Sequence, residues 1–300
     1  MSSLSKLHRL YLLIEKVEGA YHPNFNELYD HYYNHGFELS KRTLQRDLNT
    51  LRVEFGMEVA YSDHYKRYYI DRERSINVDS FYRFLEYANT AELLSESIKE
   101  NKNDLEFIHF ESQGKLKGLP LLRDLMFAIR NKRIITFTHY NFIRETNRSF
   151  TVQPYGLKEY QSRWYVVGKV SHIPNPLKFG IDRIENLEIL EKTFEQDPHF
   201  DIHDLFDDVV GLSHTEKSAE EIRLHFEPLQ GKYIKTLPLH PSQEIIEENE
   251  GGVTVKLWVK PNFELIQKLM MQCQAVKVIQ PQWLAEEVQK IYREALGKYQ

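Results

Sequence analysis

Leu7, Leu10, Tyr11, Ile14 and Val17 fall three and four residues apart, a spacing that predicts an amphipathic helix over residues 5–18. Asn24 then stands as an N-cap before Phe25, Leu28 and Tyr32, and Gly36 ends that second helix. In SKRTLQRDLNTLR and just beyond it, Ser40 is the next N-cap, Leu44, Leu48, Leu51 and Phe55 recur on one side, and Gly56 stops the run. The period shortens to two in MEVAYSDHYKRYYI, two β-favouring runs around the turn residues Ser62, Asp63 and His64.

From 75 to 114 the pattern is helical again, with Phe81, Phe84, Leu85, Ala88 and Leu93 on one side, and reads as either a connector packed on its neighbours or a dimer contact. LLRDLMFAIRNKR predicts one more helix. Short strands follow: RIITFTHY, RSFTVQPYGL, SRWYVVGKV, LKFGIDRI and LEIL, with turn signals about every 10 residues, which suggests a small β-barrel. After an acidic stretch, residues 221–300 alternate strand, helix, strand, strand, helix, strand, the order of a split βαβ sandwich.

The fold class expected is therefore multidomain α+β. It comprises a winged helix-turn-helix (1–74), a helical connector (75–114), a small Sm/SH3-like barrel (115–195), an acidic linker (196–220) and a ferredoxin-like C-terminal domain (221–300). A length of 300 residues suits two or three such domains, and 41% hydrophobic with 28% charged residues is ordinary for globular chains. The first twenty residues have no apolar run of signal-peptide length, and no stretch approaches a membrane span, so a cytoplasmic protein is expected. Cys273, the single cysteine, excludes an internal disulfide and a cysteine-based zinc cluster, and in LMMQCQAV it reads as a buried apolar residue.

Net charge is −5, yet it is unevenly spread. Residues 115–183 hold 13 Lys and Arg against 4 Asp and Glu, whereas 184–220 hold 2 against 11. The basic island calls for an anionic partner; the acidic run covers a surface, links two domains, or docks on the barrel as an autoinhibitory cover.

With its leucines buried, the third helix presents Arg42, Gln45, Arg46 and Asn49 on its far side, and Ser40, Lys41 and Thr43 at its N-terminal turn. These residue types bridge phosphates and base edges in a major groove, and Tyr65, Lys66 and Arg67 would touch the backbone from a wing. The plainer alternative is a solvated polar face, and a neutral balance over residues 1–74 weighs toward it unless a dimer doubles the phosphate contacts. His31 and His35, an i,i+4 pair, read as a surface pair, and His199 and His203 in DPHFDIHD as the start of a linker helix. No phosphate-binding glycine loop, G-x-S-x-G or H-E-x-x-H occurs, so nothing points to an enzyme, a metal or a cofactor.

SKRTLQRDLNTLR, PYGL followed by RWYVVG, and KFGIDRI together resemble the WYL-domain transcriptional regulators, a bacterial family with a winged helix, an Sm-like barrel and a C-terminal extension domain. The resemblance covers nearly the whole chain. It implies a homodimer that binds promoter duplex DNA, on an inverted repeat, while the barrel senses a nucleic acid or nucleotide-like anion. The ligand residues it implies are His139, Tyr140, Arg148, Tyr155, Arg163, Trp164, Tyr165, Lys178 and Arg183. Strand alternation puts Trp164 and Tyr165 on opposite faces, with Tyr165 the exposed one, and puts Arg183 on the side of Phe179 and Ile181 unless the strand ends or bulges.

Two positions depart from the family pattern. The name-giving triplet is Trp164-Tyr165-Val166, and the usual phenylalanine-arginine is Phe179-Gly180, leaving Lys178 or Arg163 in place of a bidentate cation. The competing function is a single-stranded DNA- or RNA-binding protein acting through the barrel; a third is a protein scaffold that binds no nucleic acid.

Overall fold

Helix α1 (Ser3–Glu18) buries Leu10, Leu13, Ile14 and Val17 against α2 (Phe25–Asn34) and α3 (Lys41–Phe55). The computed structural model describes residues 3–19, 21–100, 102–107, 118–142 and 144–300; of 3–5, 104, 105 and 107 the backbone alone is described. The end of the expected connector and the start of the expected barrel segment, residues 108–117, lie outside the described residues.

The helix ends follow the local chemistry. Asn24 and Glu27 form a capping box at α2, Ser40 Oγ accepts the Thr43 amide at α3, and Gly56 closes α3 with φ 65°. At that angle a side chain is strained, and a Cβ on Gly56 would meet Ile76 at 2.6 Å. Strands β1 (Val59–Ser62) and β2 (Arg67–Ile70) pair antiparallel around a turn at 63–66, and the Tyr68 amide donates to the Pro23 carbonyl.

Helix α4 (Val78–Glu100) returns along α1 and buries Val78, Leu85 and Glu92. Phe84 and Leu93 are exposed, so the apolar side read from the sequence is split, and a carboxylate occupies part of the buried face. These elements form the first compact unit, Met1–Ser112; the second spans Gln113–Gln300.

In the second unit, α5 (Leu121–Arg130) precedes β3 (Arg133–Asn141), β4 (Thr146–Tyr160), β5 (Arg163–Val170), β6 (Leu177–Gly180) and β7 (Ile184–Thr193). The sheet order is β6-β5-β4-β3-β7, antiparallel throughout, with register shifts in β3 and β4 that curve it. LKFGIDRI is not one strand: β6 stops at Gly180, Ile181–Arg183 make a 3-10 turn, and β7 starts at Ile184. Leu125, Ile135, Phe137, Val152, Val166 and Phe179 fill the concave side.

The C-terminal part runs β8 (Glu220–Phe226), α6 (Pro228–Thr236), β9 (Glu244–Asn249), β10 (Gly252–Val259), α7 (Phe263–Met271), β11 (Val276–Gln280) and α8 (Gln282–Leu296), with sheet order β11-β8-β10-β9. Ile222, Leu224 and Phe226 alternate with polar residues, and with Val255, Leu257, Leu265, Leu269 and Leu284 they make its core. Each such burial contributes about 1.5–3 kcal/mol. Cys273 is exposed, in a short turn after α7 where φ is 51°, its thiol 3.9 Å from the Met271 carbonyl. The whole is mixed α+β and multidomain. Among the described residues no helix is long and apolar enough to cross a membrane.

Candidate nucleic-acid interface

Two surfaces gather the candidate residues, one in each unit. On α3, Lys41, Arg42, Gln45, Arg46 and Asn49 are exposed and Thr43 is half-buried, its hydroxyl 3.2 Å from that of Ser40. The opposite side carries Leu44, Leu51 and, unexpectedly, Asp47. Asp47 and Arg9 are 1% and 3% exposed and form a fork: Nε to Oδ2 at 2.8 Å, Nη2 to Oδ1 at 3.1 Å. The Tyr32 hydroxyl donates to the Arg9 carbonyl at 3.0 Å and lies 3.4 Å from Asp47 Oδ2. Its carboxylate neighbour raises the Arg9 pKa, and burial raises that of Tyr32, so the guanidinium stays charged and the phenol neutral. This polar lock fixes the rotation of α3 about its own axis, and hence which side faces out.

Ion pairing sorts the cations of this unit. Lys6 pairs with Glu54, Arg9 with Asp47, Arg52 with Glu58, and Arg72 with Glu18 and Asp79. Among the described residues, Lys41, Arg42 and Arg46 have no carboxylate within ion-pair distance. Of the four Lys and Arg residues of 1–74 that form no ion pair among the described residues, three thus lie on the outer side of α3 and the fourth, Lys16, on α1.

At the hairpin, Tyr65 and Lys66 are exposed at the tip, with Lys66 3.6 Å from Asp63. Arg67 does not join them. It opens β2, and its guanidinium donates to the His22 carbonyl and to Glu27 at 3.0 Å, bracing the hairpin on α2. Tyr21, His22, Ser62, Tyr65, Arg67 and Tyr69 line a cleft of about 650 Å³ beside it.

In the second unit, Tyr165 pairs across the sheet with Lys158 and Gly180. Trp164 packs on the core side and Tyr165 lies half-buried on the other. Arg163 reaches Asp182 at 3.3 Å, and Arg183 is 3.9 Å from the same carboxylate. The turn after β6 swings the Arg183 guanidinium over the Phe142 ring at 4.7 Å, so it leaves the strand plane rather than facing the core. His139 is a core residue: 8% exposed, edge-on to Phe179 at 5.3 Å, its pKa lowered by burial and by Arg183. Lys178 is half-buried, and burial lowers its pKa.

Tyr140 and Arg148 sit toward the outer end of β3 and β4, Tyr140 edge-on to Phe142 and Arg148 over Phe150. Tyr155 is not part of this group. It is 7% exposed in a separate cluster with Ile134, Phe194 and Phe200. Arg163, Tyr165, Asp182 and Arg183 come together, whereas His139 and Trp164 serve packing and Tyr155 lies covered by Phe200.

Lys158, Lys169, Asp182 and Phe142 were not singled out in the sequence. Lys158 stands over the Phe206 ring at 4.6 Å, and Lys169 pairs with Asp197 at 3.0 Å. Strand alternation from Tyr165 could have found Lys169; the aromatic partners lie too far along the chain to be read from spacing. His31 and His35 have ring centroids 4.3 Å apart, and burial with His35 and Lys16 nearby lowers the His31 pKa to about 4. Among the described residues no group of three or more His, Cys, Asp or Glu is arranged to hold a metal ion.

Residues 120–189 match the WYL domain and residues 218–296 the WCX domain. No curated protein matches the chain. Among solved structures, the chain is similar to proteasome accessory factor B/C (PafBC) of Arthrobacter aurescens, at 18% identity and TM-score 0.32, covering 96% of this chain and 46% of that one. It is also similar to a CRISPR Cas-related protein at 12% identity and TM-score 0.38, covering 99% of this chain and 85% of that one. The chain thus spans about half the length of the first of these.

Proposed function

The chain is a WYL-domain protein with a WCX domain behind it, and from that premise we propose that it is a transcription regulator that binds promoter duplex DNA and responds to a nucleic-acid or nucleotide-like ligand. Residues 1–74 act as the winged helix-turn-helix, with α3 in the major groove and the hairpin tip on the backbone. The curved five-stranded sheet acts as the Sm-like sensor. It works as a cytoplasmic homodimer on an inverted repeat, with no catalytic step.

The observation that carries this reading is the outer face of α3, where Lys41, Arg42 and Arg46 lack internal counter-ions while the cations around them are paired. Phosphates or guanine edges suit those three, and Gln45 and Asn49 suit adenine. The test is fluorescence anisotropy of the full chain on duplex DNA from its own upstream intergenic region. Arg46→Glu abolishes retention; unchanged binding at physiological salt removes α3 as the reading helix.

A second reading, a single-strand-binding protein acting through the barrel, is favoured by the Arg163, Tyr165 and Lys178 face. Competition separates the two. A single strand that displaces the duplex completely, with no duplex preference left, moves the function to the barrel.

A further inference from the structure

The acidic run that follows the barrel does not bridge open space. Residues 196–205 lie against Tyr155 and Gly156 of β4 and Lys169 of β5, where Asp197 pairs with Lys169 at 3.0 Å. The Phe200 ring stands edge-on to Tyr155, centroids 4.4 Å apart, and Lys169 Nζ lies 4.8 Å from that ring and 5.3 Å from Tyr155. Ile202 presses on Gly156, which leaves no room for a Cβ. One anion and one flat ring thus sit on a lysine and a tyrosine, the same chemical elements that a phosphate and a stacked base would bring.

The attachment is light. Within 196–205 only Phe200, Ile202 and Leu205 are even half-buried, no residue joins a strand, and the segment itself, with Tyr155, lines an open cleft of about 420 Å³. The firm anchor comes later: Val209 and Val210 are buried, the Lys260 amide donates to the Asp208 carbonyl, and Asn262 holds the Val210 carbonyl at 2.7 Å. Residues 196–205 carry three aspartates and no Lys or Arg. A segment with a fixed end, a charge opposite to that of the lysine beneath it and few buried residues is built to lift.

We propose that Lys169 and Tyr155 form a binding strip for single-stranded nucleic acid, and that residues 196–205 are its tethered occupant, Asp197 in place of a phosphate and Phe200 in place of a base. This rests on the reading of the barrel as a nucleic-acid sensor and adds to it where the strand lies and what it must displace. Ligand binding then frees a segment that leads directly into the C-terminal domain.

The experiment uses the full-length protein and a fluorescein-labelled 12-nucleotide single strand of mixed sequence at low salt, followed by anisotropy. Removing the occupant raises the fraction of open protein and so tightens apparent affinity in proportion. Asp197→Asn should bind the strand about threefold or more tightly, and Asp197→Asn with Phe200→Ser about tenfold. Asp204→Asn removes the same charge without a contact to Lys169 and should change affinity less than Asp197→Asn does. Lys169→Ala should weaken binding and lower the slope of log affinity against log salt by about 0.7. In the unaltered protein, saturation with the strand should speed amide exchange across 196–205.

Exchange left unchanged by the strand, or Asp197→Asn equal to Asp204→Asn, overturns the proposal even where the barrel binds. Binding by none of the variants at low salt overturns the sensor reading together with it.

Discussion

Replacing Asp47 with alanine removes the forked acceptor of a guanidinium that is 3% exposed inside the first unit. Breaking one side of a buried, hydrogen-bonded pair costs about 3–5 kcal/mol. That is a large share of the roughly 5–15 kcal/mol that keeps a domain folded. With a urea slope of about 1–3 kcal/mol/M, the unit's midpoint falls by ~1–5 M.

The assay separates the units. All three tryptophans, Trp164, Trp258 and Trp283, lie in the second, so their fluorescence follows that unit, while amide exchange in α1 and α3 follows the first. Asp47→Ala should speed exchange in α1 and α3 and leave the tryptophan transition in place. Arg9→Met combined with Asp47→Leu should recover most of the loss, because apolar side chains of similar volume often replace a buried pair without cost. A single change costing under ~1 kcal/mol, or a double variant no better than the single, refutes the assignment of the lock.

Ser40→Ala removes the side-chain acceptor of the Thr43 amide and should cost about 0.5–2 kcal/mol in thermal unfolding of the first unit, with weaker duplex binding. Asp182→Asn releases Arg163 and Arg183 from their shared carboxylate; single strands should bind more tightly with a salt slope steeper by up to about 0.7 per cation, and an unchanged slope counts against both as ligand contacts. His31, neutral in the fold because its pKa is depressed to about 4 from 6.5, contributes stability that is whole above pH 6.5 and is lost as pH falls toward 4, since the unfolded chain takes the proton first. The Glu15 carboxylate 3.8 Å away opposes this weakly, being half exposed, and the loss amounts to roughly 2–3 kcal/mol. His31→Gln should flatten that part of the pH–stability curve. Cys273, exposed and the sole thiol, should react with a thiol reagent at one equivalent in the native protein; reaction only after denaturation would place it in a core.

What could be read from the chain was local. Asn24, Ser40 and Gly56 cap helices through atoms within a few residues of themselves, so the ends of α2 and α3 follow from composition and spacing. The outer face of α3 follows likewise, because leucine periodicity fixes which side is buried. Asp47 lies on the buried side yet reads as one more polar residue, since its partner Arg9 is 38 positions earlier. Arg67 follows the tip residues in sequence, and spacing does not show that it turns to Glu27 of another element. Alternation identified the opposed faces of Trp164 and Tyr165, but not that strand β6 ends at Gly180 or that Phe200 covers Tyr155.

Gly180 shows how one missing side chain shapes the rim of the five-stranded sheet. A Cβ there would stand 2.6 Å from Asp182 Oδ1 and 2.9 Å from Arg183 Nη2, so the tips of these two side chains occupy the volume a larger residue would need. An arginine placed at position 180 would displace the Arg183 head from its seat on Phe142 as it arrived. Positive charge on this rim is therefore a matter of vacancy as well as of count: position 180 offers either a cation of its own or the berth for its neighbour's.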